Sequence, residues 1–205
     1  MKTKLLTNKD IKEVAAIIRK DGIVAFPTDT VYGLGIRYDS RMAIDKLKLA
    51  KKRPETKPFP MMVNSLKQIE MVAELNERDR FLIKRWLPNA LTIVFRKRKD
   101  LADYVTNGFD TVAIRMPNDE FVLSIIDFVQ VPLLVPSANI SNEAPAKTHE
   151  EVLEQLDSTI DAVVIGKCSK GIASTIISTV DEEIKLLREG PITLQEILDS
   201  LEDMK

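Results

Sequence analysis

At 205 residues, 44% of them apolar and 30% charged, the chain is long enough for one domain with an ample core and has ordinary globular composition. A net charge of −1 gives no global attraction for a polyanion, the single cysteine (Cys168) excludes an intrachain disulfide, and the single histidine (His149) leaves no Cys/His zinc site within one chain. No run approaches the ~20 apolar residues of a membrane span, so a soluble cytoplasmic protein is expected.

The first residues, M-K-T-K-L-L-T-N-K-D, lack the apolar core of a secretion signal. Thr7-Asn8-Lys9-Asp10 has the form of a capping box, and Ile11, Val14, Ala15, Ile17 and Ile18 follow at helical spacing, with Gly22 expected to end the helix. Ile23 to Phe26 reads as a buried strand stopped by Pro27. Behind it, Gly33-Leu34-Gly35 invites a dinucleotide-binding reading. The third glycine of that fingerprint would fall at Tyr38 and is absent, and no G-x-x-x-x-G-K-[ST] occurs anywhere.

A helix is predicted from Arg41 to Ala50, ending before Pro54 because the residue preceding a proline avoids helical geometry. Further strands are predicted at 59–63, 91–95, 111–115, 131–135, 161–165, 175–180 and 184–187, with helices at 66–75, 77–86, 119–129, 149–156 and 193–202. Ser65-x-x-Gln68, Thr148-x-x-Glu151 and Thr193-x-x-Glu196 offer capping boxes for three of them. This alternation predicts an α/β sandwich around a mixed, twisted sheet, and with no repeat, linker or low-complexity stretch it reads as a single domain over residues 1–205.

Several polar fragments stand at strand ends. Residues 41–57 concentrate Arg41, Lys46, Lys48, Lys51, Lys52, Arg53 and Lys57 against only Asp45 and Glu55. Lys46, Lys48, Lys52 and Lys57 suit a solvated face. Lys51 and Arg53 sit where the helix must end, which favours cations and also suits a polyphosphate leaving group. Pro136-Ser137-Ala138-Asn139-Ile140-Ser141 follows an apolar run, where open α/β sheets bind ligands; alone it reads as readily as an ordinary Ser/Asn turn. Ala173-Ser174-Thr175, Leu187-Arg188-Glu189-Gly190-Pro191 and Arg115 before Met116-Pro117 share that setting. His149 falls inside a helix-start signature and reads as a solvated first-turn residue, and Cys168 as a small loop residue.

In combination, P-T-D-T-V-Y-G-L-G (27–35), K-K-R-P-x-x-K-P (51–58), A-I-R-M-P (113–117), P-S-A-N-I-S (136–141), S-T-I (174–176) and L-R-E-G-P (187–191) resemble the YrdC/Sua5 family of threonylcarbamoyl-adenylate synthases. The resemblance runs from about residue 10 to 195 and is to the family's short, single-domain form. It implies a YrdC-like twisted, mixed and mostly parallel sheet flanked by helices, with a concave basic cavity. It also implies a nucleotidyl transfer that joins L-threonine, bicarbonate and ATP into L-threonylcarbamoyladenylate and releases pyrophosphate. Separate transferase proteins then modify N6 of adenosine 37 in tRNA.

On that resemblance Lys51 and Arg53 neutralise the triphosphate and act in catalysis. Arg115 holds the threonine carboxylate, and Thr28, Thr30, Tyr32, Ser137 and Ser174 line the threonine and bicarbonate region. Thr111, Asn139 and Arg188 join Lys51 and Arg53 in contacting the nucleotide. Mg2+ is expected to arrive with ATP, with no tightly held protein-ligated metal. Gly33 and Gly35 become points of tight backbone approach. The chain departs from the family pattern at Asn89-Ala90, Asn142 and Ala173, and Asn142 is a residue that tolerates left-handed backbone. Two alternatives stand beside this reading. One is an RNA-binding or ribosome-maturation factor of the same fold, which the scarcity of aromatics near the basic stretch opposes. The other is a paralogue that adenylates a different carbamate.

Overall fold

A computed structural model describes residues 2–53, 58–168 and 171–204. Pro54 and Lys57, invoked above for the helix end and the basic stretch, lie outside the described residues. In chain order the elements are β1 (Lys4–Leu6), α1 (Ile11–Arg19), β2 (Val24–Phe26), β3 (Gly33–Arg37), α2 (Arg41–Ala50), β4 (Met61–Met62), α3 (Leu66–Glu70), β5 (Ala73–Glu74), α4 (Glu77–Trp86) and β6 (Leu91–Lys97). They continue with α5 (Asp103–Thr106), β7 (Thr111–Arg115), α6 (Glu120–Val129), β8 (Leu133–Leu134), α7 (His149–Leu156), β9 (Ala162–Val164), β10 (Thr175–Ser178), β11 (Lys185–Arg188) and α8 (Leu194–Ser200).

The strands form one mixed sheet in the order β1-β9-β2-β3-β8-β4-β7-β6-β10-β11, with β5 added against β6. Four pairings are parallel (β1 with β9, β2 with β9, β4 with β7, β6 with β10) and the other six antiparallel, so antiparallel ladders take a large share. Helices cover both faces. On one, Val14, Ala15 and Ile18 of α1 meet Val122, Ile125, Ile126 and Val129 of α6. On the other, Ala43, Ile44 and Leu47 of α2, Leu82 and Ile83 of α4, Val152 and Leu156 of α7, and Ile197 of α8 share a larger core. Each set recurs at helical spacing, which is why one face of each helix is apolar enough to close on the sheet.

Local signals resolved unevenly. Thr193 and Glu196 form the complete capping box expected before α8, while Ser65 and Thr148 cap their helices through the hydroxyl alone. In those two the partner side chain bonds one residue earlier, Gln68 accepting from Asn64 N and Glu151 from Lys147 N. Thr7 and Asp10 do not box a helix: Asp10 turns back to accept from Thr7 N and Oγ1, and α1 begins behind it without a side-chain cap. The left-handed residue that ends α1 is Asp21 (φ 62°), not Gly22, whose N–H closes back on Ile17 O. Asn142 does take the left-handed conformation (φ 75°).

The helix predicted over 66–75 stops at Glu70, and β5 follows it against β6. β1, β3 and α5 were not anticipated. The largest omission is β3, since Gly33 to Arg37 read as a polar glycine loop but pairs β2 on one side and β8 on the other. Glycine serves there for closeness: a Cβ at Gly33 would sit 2.4 Å from Val135 Cγ1, and one at Gly35 would sit 2.4 Å from Phe26 Cε1.

Candidate active site

Loops at the ends of β2, β4, β7, β8 and β10 enclose a cavity of about 300 Å3, within the range of small-ligand sites. Two of them are zipped together. Ala138 N donates to Tyr32 O, Tyr32 N to Ala146 O and Leu34 N to Pro136 O, so the P-T-D-T stretch and the P-S-A-N stretch form one continuous wall. The lining brings together eight of the residues singled out from sequence: Thr28, Thr30, Tyr32, Arg53, Arg115, Ser137, Ser174 and Arg188. Three are arginines, and among the described residues no carboxylate side chain lines the cavity.

Arg115 ends β7 and is only 4% exposed. Nη1 donates to Thr30 Oγ1 (2.7 Å), Nη2 to Asp29 Oδ2 (2.6 Å) and Nε to Asn89 O (3.2 Å). Thr30 Oγ1 lies 3.0 Å from Thr28 Oγ1, which donates to Val31 O. A hydroxyl has one proton, so Thr28 must accept from Thr30, and the bonds run in one direction from Arg115 through Thr30 and Thr28 to Val31. These two threonines therefore hold the arginine in place. Burial lowers the Arg115 pKa, opposed by the Asp29 charge, and leaves the guanidinium cationic.

Arg188 ends β11 and crosses to the mouth of β10. Its Nε and Nη2 grip Ser174 O (3.0 and 2.8 Å), and Nη2 also reaches Ser174 Oγ (3.1 Å), which lies 2.8 Å from Thr92 Oγ1. Burial lowers its pKa as well. Gly190 lets β11 come this close, because a Cβ there would meet Thr175 N at 2.3 Å. Arg53 donates through Nη2 to Pro58 O (2.7 Å) and stacks over Phe59, with Cζ 4.7 Å from the ring centroid.

Of the remaining sequence-selected residues, Lys51, Asn139 and Thr111 do not line the cavity, and Tyr32 lines it with its hydroxyl turned away. Lys51 is 1% exposed and does not line the cavity. Its Nζ donates to Ser137 O and Asn139 O (2.5 and 2.6 Å), while its own carbonyl accepts from Ser141 N. It ties the end of α2 to the P-S-A-N loop. Burial, assisted by the charge of Arg53, lowers its amine from 10.5 to about 7. Asn139 points inward too, donating to Ile140 O and Glu143 O (2.7 and 2.9 Å). The Tyr32 hydroxyl is spent on Val164 O (2.8 Å) and is not presented to the cavity, with burial pushing its pKa up. Thr111 starts β7, four residues from Arg115, so about 13 Å of strand separates it from the cavity end.

Sequence reasoning passed over Asp29 and Thr92. Asp29 lay inside the quoted motif, yet only the fold shows it beside Arg115; Thr92 was hidden in an apolar strand. Among the described residues no group of three or more His, Cys, Asp or Glu side chains could hold a metal ion, and no helix is long and apolar enough to cross a membrane.

Residues 16–190 match the family model Sua5/yciO/yrdC, described as telomere recombination. The chain is 37% identical over 190 residues to threonylcarbamoyl-AMP synthase of Bacillus subtilis (strain 168), an alignment covering 91% of this chain and 55% of that protein. It is 35% identical over 202 residues to a putative threonylcarbamoyl-AMP synthase of Methanocaldococcus jannaschii, covering 94% of this chain and 93% of the relative. The crystal structure of Sua5 from P. abyssi complexed with L-threonine superposes with a TM-score of 0.91 at 34% identity, covering 98% of this chain and 61% of that one. The chain thus spans about half the length of the B. subtilis and Pyrococcus abyssi curated relatives that it matches.

Proposed function

The chain belongs to the Sua5/YciO/YrdC family, and from that premise we propose that it makes L-threonylcarbamoyladenylate from L-threonine, bicarbonate and ATP, releasing pyrophosphate and water. The observation that carries this reading is the convergence of Arg53, Arg115 and Arg188 on one cavity that no carboxylate residue lines among the described residues. The reaction brings an amino-acid carboxylate, a carbonate and a triphosphate together. Such a set needs fixed positive charge and exclusion of water from a labile carbamate more than it needs a nucleophile.

In this reading Arg115 takes the threonine carboxylate. It can do so because three of its five N–H groups are committed to the chain and two remain, one on each terminal nitrogen. Arg188 and Arg53 take the phosphates. Ser137 and Ser174 supply hydroxyls around the carbonate, and Thr28 and Thr30 act one step back by orienting Arg115. Lys51 holds the Ser137 carbonyl from beneath, so its contribution to triphosphate binding requires Nζ to swing away from Ser137 and Asn139. Mg2+ enters as part of the Mg·ATP substrate, held mainly by phosphate oxygens and water. Transferases acting on tRNA would consume the adenylate.

The test is pyrophosphate release by the purified protein with Mg·ATP, bicarbonate and L-threonine. Release that vanishes on omitting threonine or bicarbonate supports the proposal. Release indifferent to threonine overturns it, and tRNA binding that competes with ATP without any pyrophosphate would favour the RNA-binding alternative.

A further inference from the structure

Two pairs of bonded hydroxyls line the cavity, and their protons have different destinations. In the first pair Thr30 accepts from Arg115 and Thr28 donates to Val31 O, so every proton in the run from Arg115 ends on an acceptor of the chain. The second pair is Ser174 and Thr92, whose side-chain oxygens lie 2.8 Å apart. Thr92 stands on β6 between Leu91 and Ile93; those two turn into the core, and alternation along the strand turns Thr92 to the cavity. It is 3% exposed and Ser174 5%, a setting in which a hydroxyl costs free energy unless it is hydrogen-bonded. Arg188 Nη2 donates to Ser174 Oγ (3.1 Å), and among the described residues neither hydroxyl has a further partner.

Two hydroxyls hold two protons, their mutual bond uses one, and a guanidinium can only donate. One proton is therefore left without an acceptor among the described residues. Were Thr92 to donate to Ser174, Ser174 would receive two bonds and Thr92 none, stranding both lone pairs of a buried oxygen. With Ser174 donating to Thr92, each oxygen receives one bond and gives one. Polarisation then runs away from the cation, as it does from Arg115 through Thr30 and Thr28. The two runs differ in where they stop: the first at Val31 O, the second in the cavity. We propose that Thr92 is a binding residue, the terminal donor of a relay from Arg188 through Ser174, and that its proton goes to an oxyanion of the substrate, a carbonate or a phosphate oxygen. A hydroxyl polarised in this way suits a negative oxygen and has no donor to gain from an ammonium. The proposal rests on the oxyanion reading of the cavity and sharpens it, since Ser174 acts at this corner through Thr92.

The test compares wild type with Thr92→Val, which keeps the side-chain shape and removes the hydroxyl, and with Thr92→Ser, which restores it. Pyrophosphate release is measured at varied bicarbonate, ATP and L-threonine. Thr92→Val should raise KM for bicarbonate or for ATP, or lower kcat per folded molecule, by about tenfold or more, the scale of one hydrogen bond to a charged group. KM for threonine should stay within about twofold, and Thr92→Ser within about threefold of wild type throughout. A rise in the bicarbonate KM identifies a carbonate oxygen as the acceptor, a rise in the ATP KM a phosphate oxygen, and a fall in kcat alone a contact made in the transition state. KM does not depend on how much of a sample is folded, and Thr92→Ala removes the same hydroxyl should Thr92→Val fail to fold. Unchanged parameters in the variant lacking the hydroxyl overturn the proposal, as does a change confined to the threonine KM. A loss in Ser174→Ala that Thr92→Val does not share also overturns it, because Ser174 would then be the donor. If wild type releases no pyrophosphate, the reaction reading fails and the relay is judged by calorimetry with ATP and with inorganic phosphate. Affinity for either that is about tenfold weaker in Thr92→Val upholds the relay, and equal affinity or no binding overturns it.

Discussion

Replacing Lys51 by methionine removes an ammonium that is 1% exposed and leaves the carbonyls of Ser137 and Asn139 without their donor. Two effects oppose each other. Each lost hydrogen bond to a charged group costs about 1.5–3 kcal/mol, whereas discarding a charge that burial disfavours returns part of that loss. The second effect depends on pH. Burial lowers the Lys51 amine from 10.5 to about 7, so between those values the unfolded chain binds a proton that the folded chain does not. Folded-state stability therefore rises with pH across that window, and below it both states are protonated and the slope fades. For these two pKa values, the advantage of wild type over Lys51→Met should change by only about 0.4 kcal/mol from pH 6 to 7. From pH 7 to 9 it should grow by about 2 kcal/mol. Urea unfolding of both proteins at several pH values, followed by the fluorescence of the single tryptophan, Trp86, measures the difference, in which other titrating groups cancel. A difference that stays constant from pH 6 to 9 refutes the reasoning, because Nζ would then titrate like a solvated amine.

Two further outcomes are expected. In Gly190→Ala a new Cβ would lie 2.3 Å from Thr175 N and 2.7 Å from Ser174 C, backbone that cannot turn aside; thermal and urea unfolding should register a loss of about 1–3 kcal/mol. Because the displaced strand carries Arg188, pyrophosphate release should fall by more than the folded fraction explains. Thr193→Ala removes the hydroxyl that caps α8 and the reciprocal bonds to Glu196, and should cost about 1 kcal/mol in urea unfolding with turnover unchanged.

Much of the architecture was legible in the chain because it depends on periodicity. α2, α4, α7 and β7 appear where their apolar spacing, caps and flanking turns place them. β3 was not legible, since Gly33-Leu34-Gly35 lacks the β-branched alternation of a strand and becomes one through partners supplied by β2 and β8. The same division runs through the site. Residue types marked the loops that surround a cavity, and Arg115, Arg188, Ser137 and Ser174 were named before any geometry was known.

What sequence order could not convey is which atom of each residue is already in use. Lys51 and Arg53 are two positions apart and look equivalent in a basic stretch, yet one is buried beneath the P-S-A-N loop and the other lines the cavity. The Tyr32 hydroxyl looked like a substrate contact and is committed to Val164, 132 positions away. Asp29 and Arg115, 86 positions apart, meet at 2.6 Å only once β7 and the loop after β2 are laid into one sheet. Spacing along the chain determined the elements and the kind of chemistry, because helices and strands are local and residue types carry their chemistry with them. Tertiary structure alone decided which donors and acceptors remain for a ligand, because a hydrogen-bonding group is spent on whatever distant segment the fold brings within about 3 Å of it.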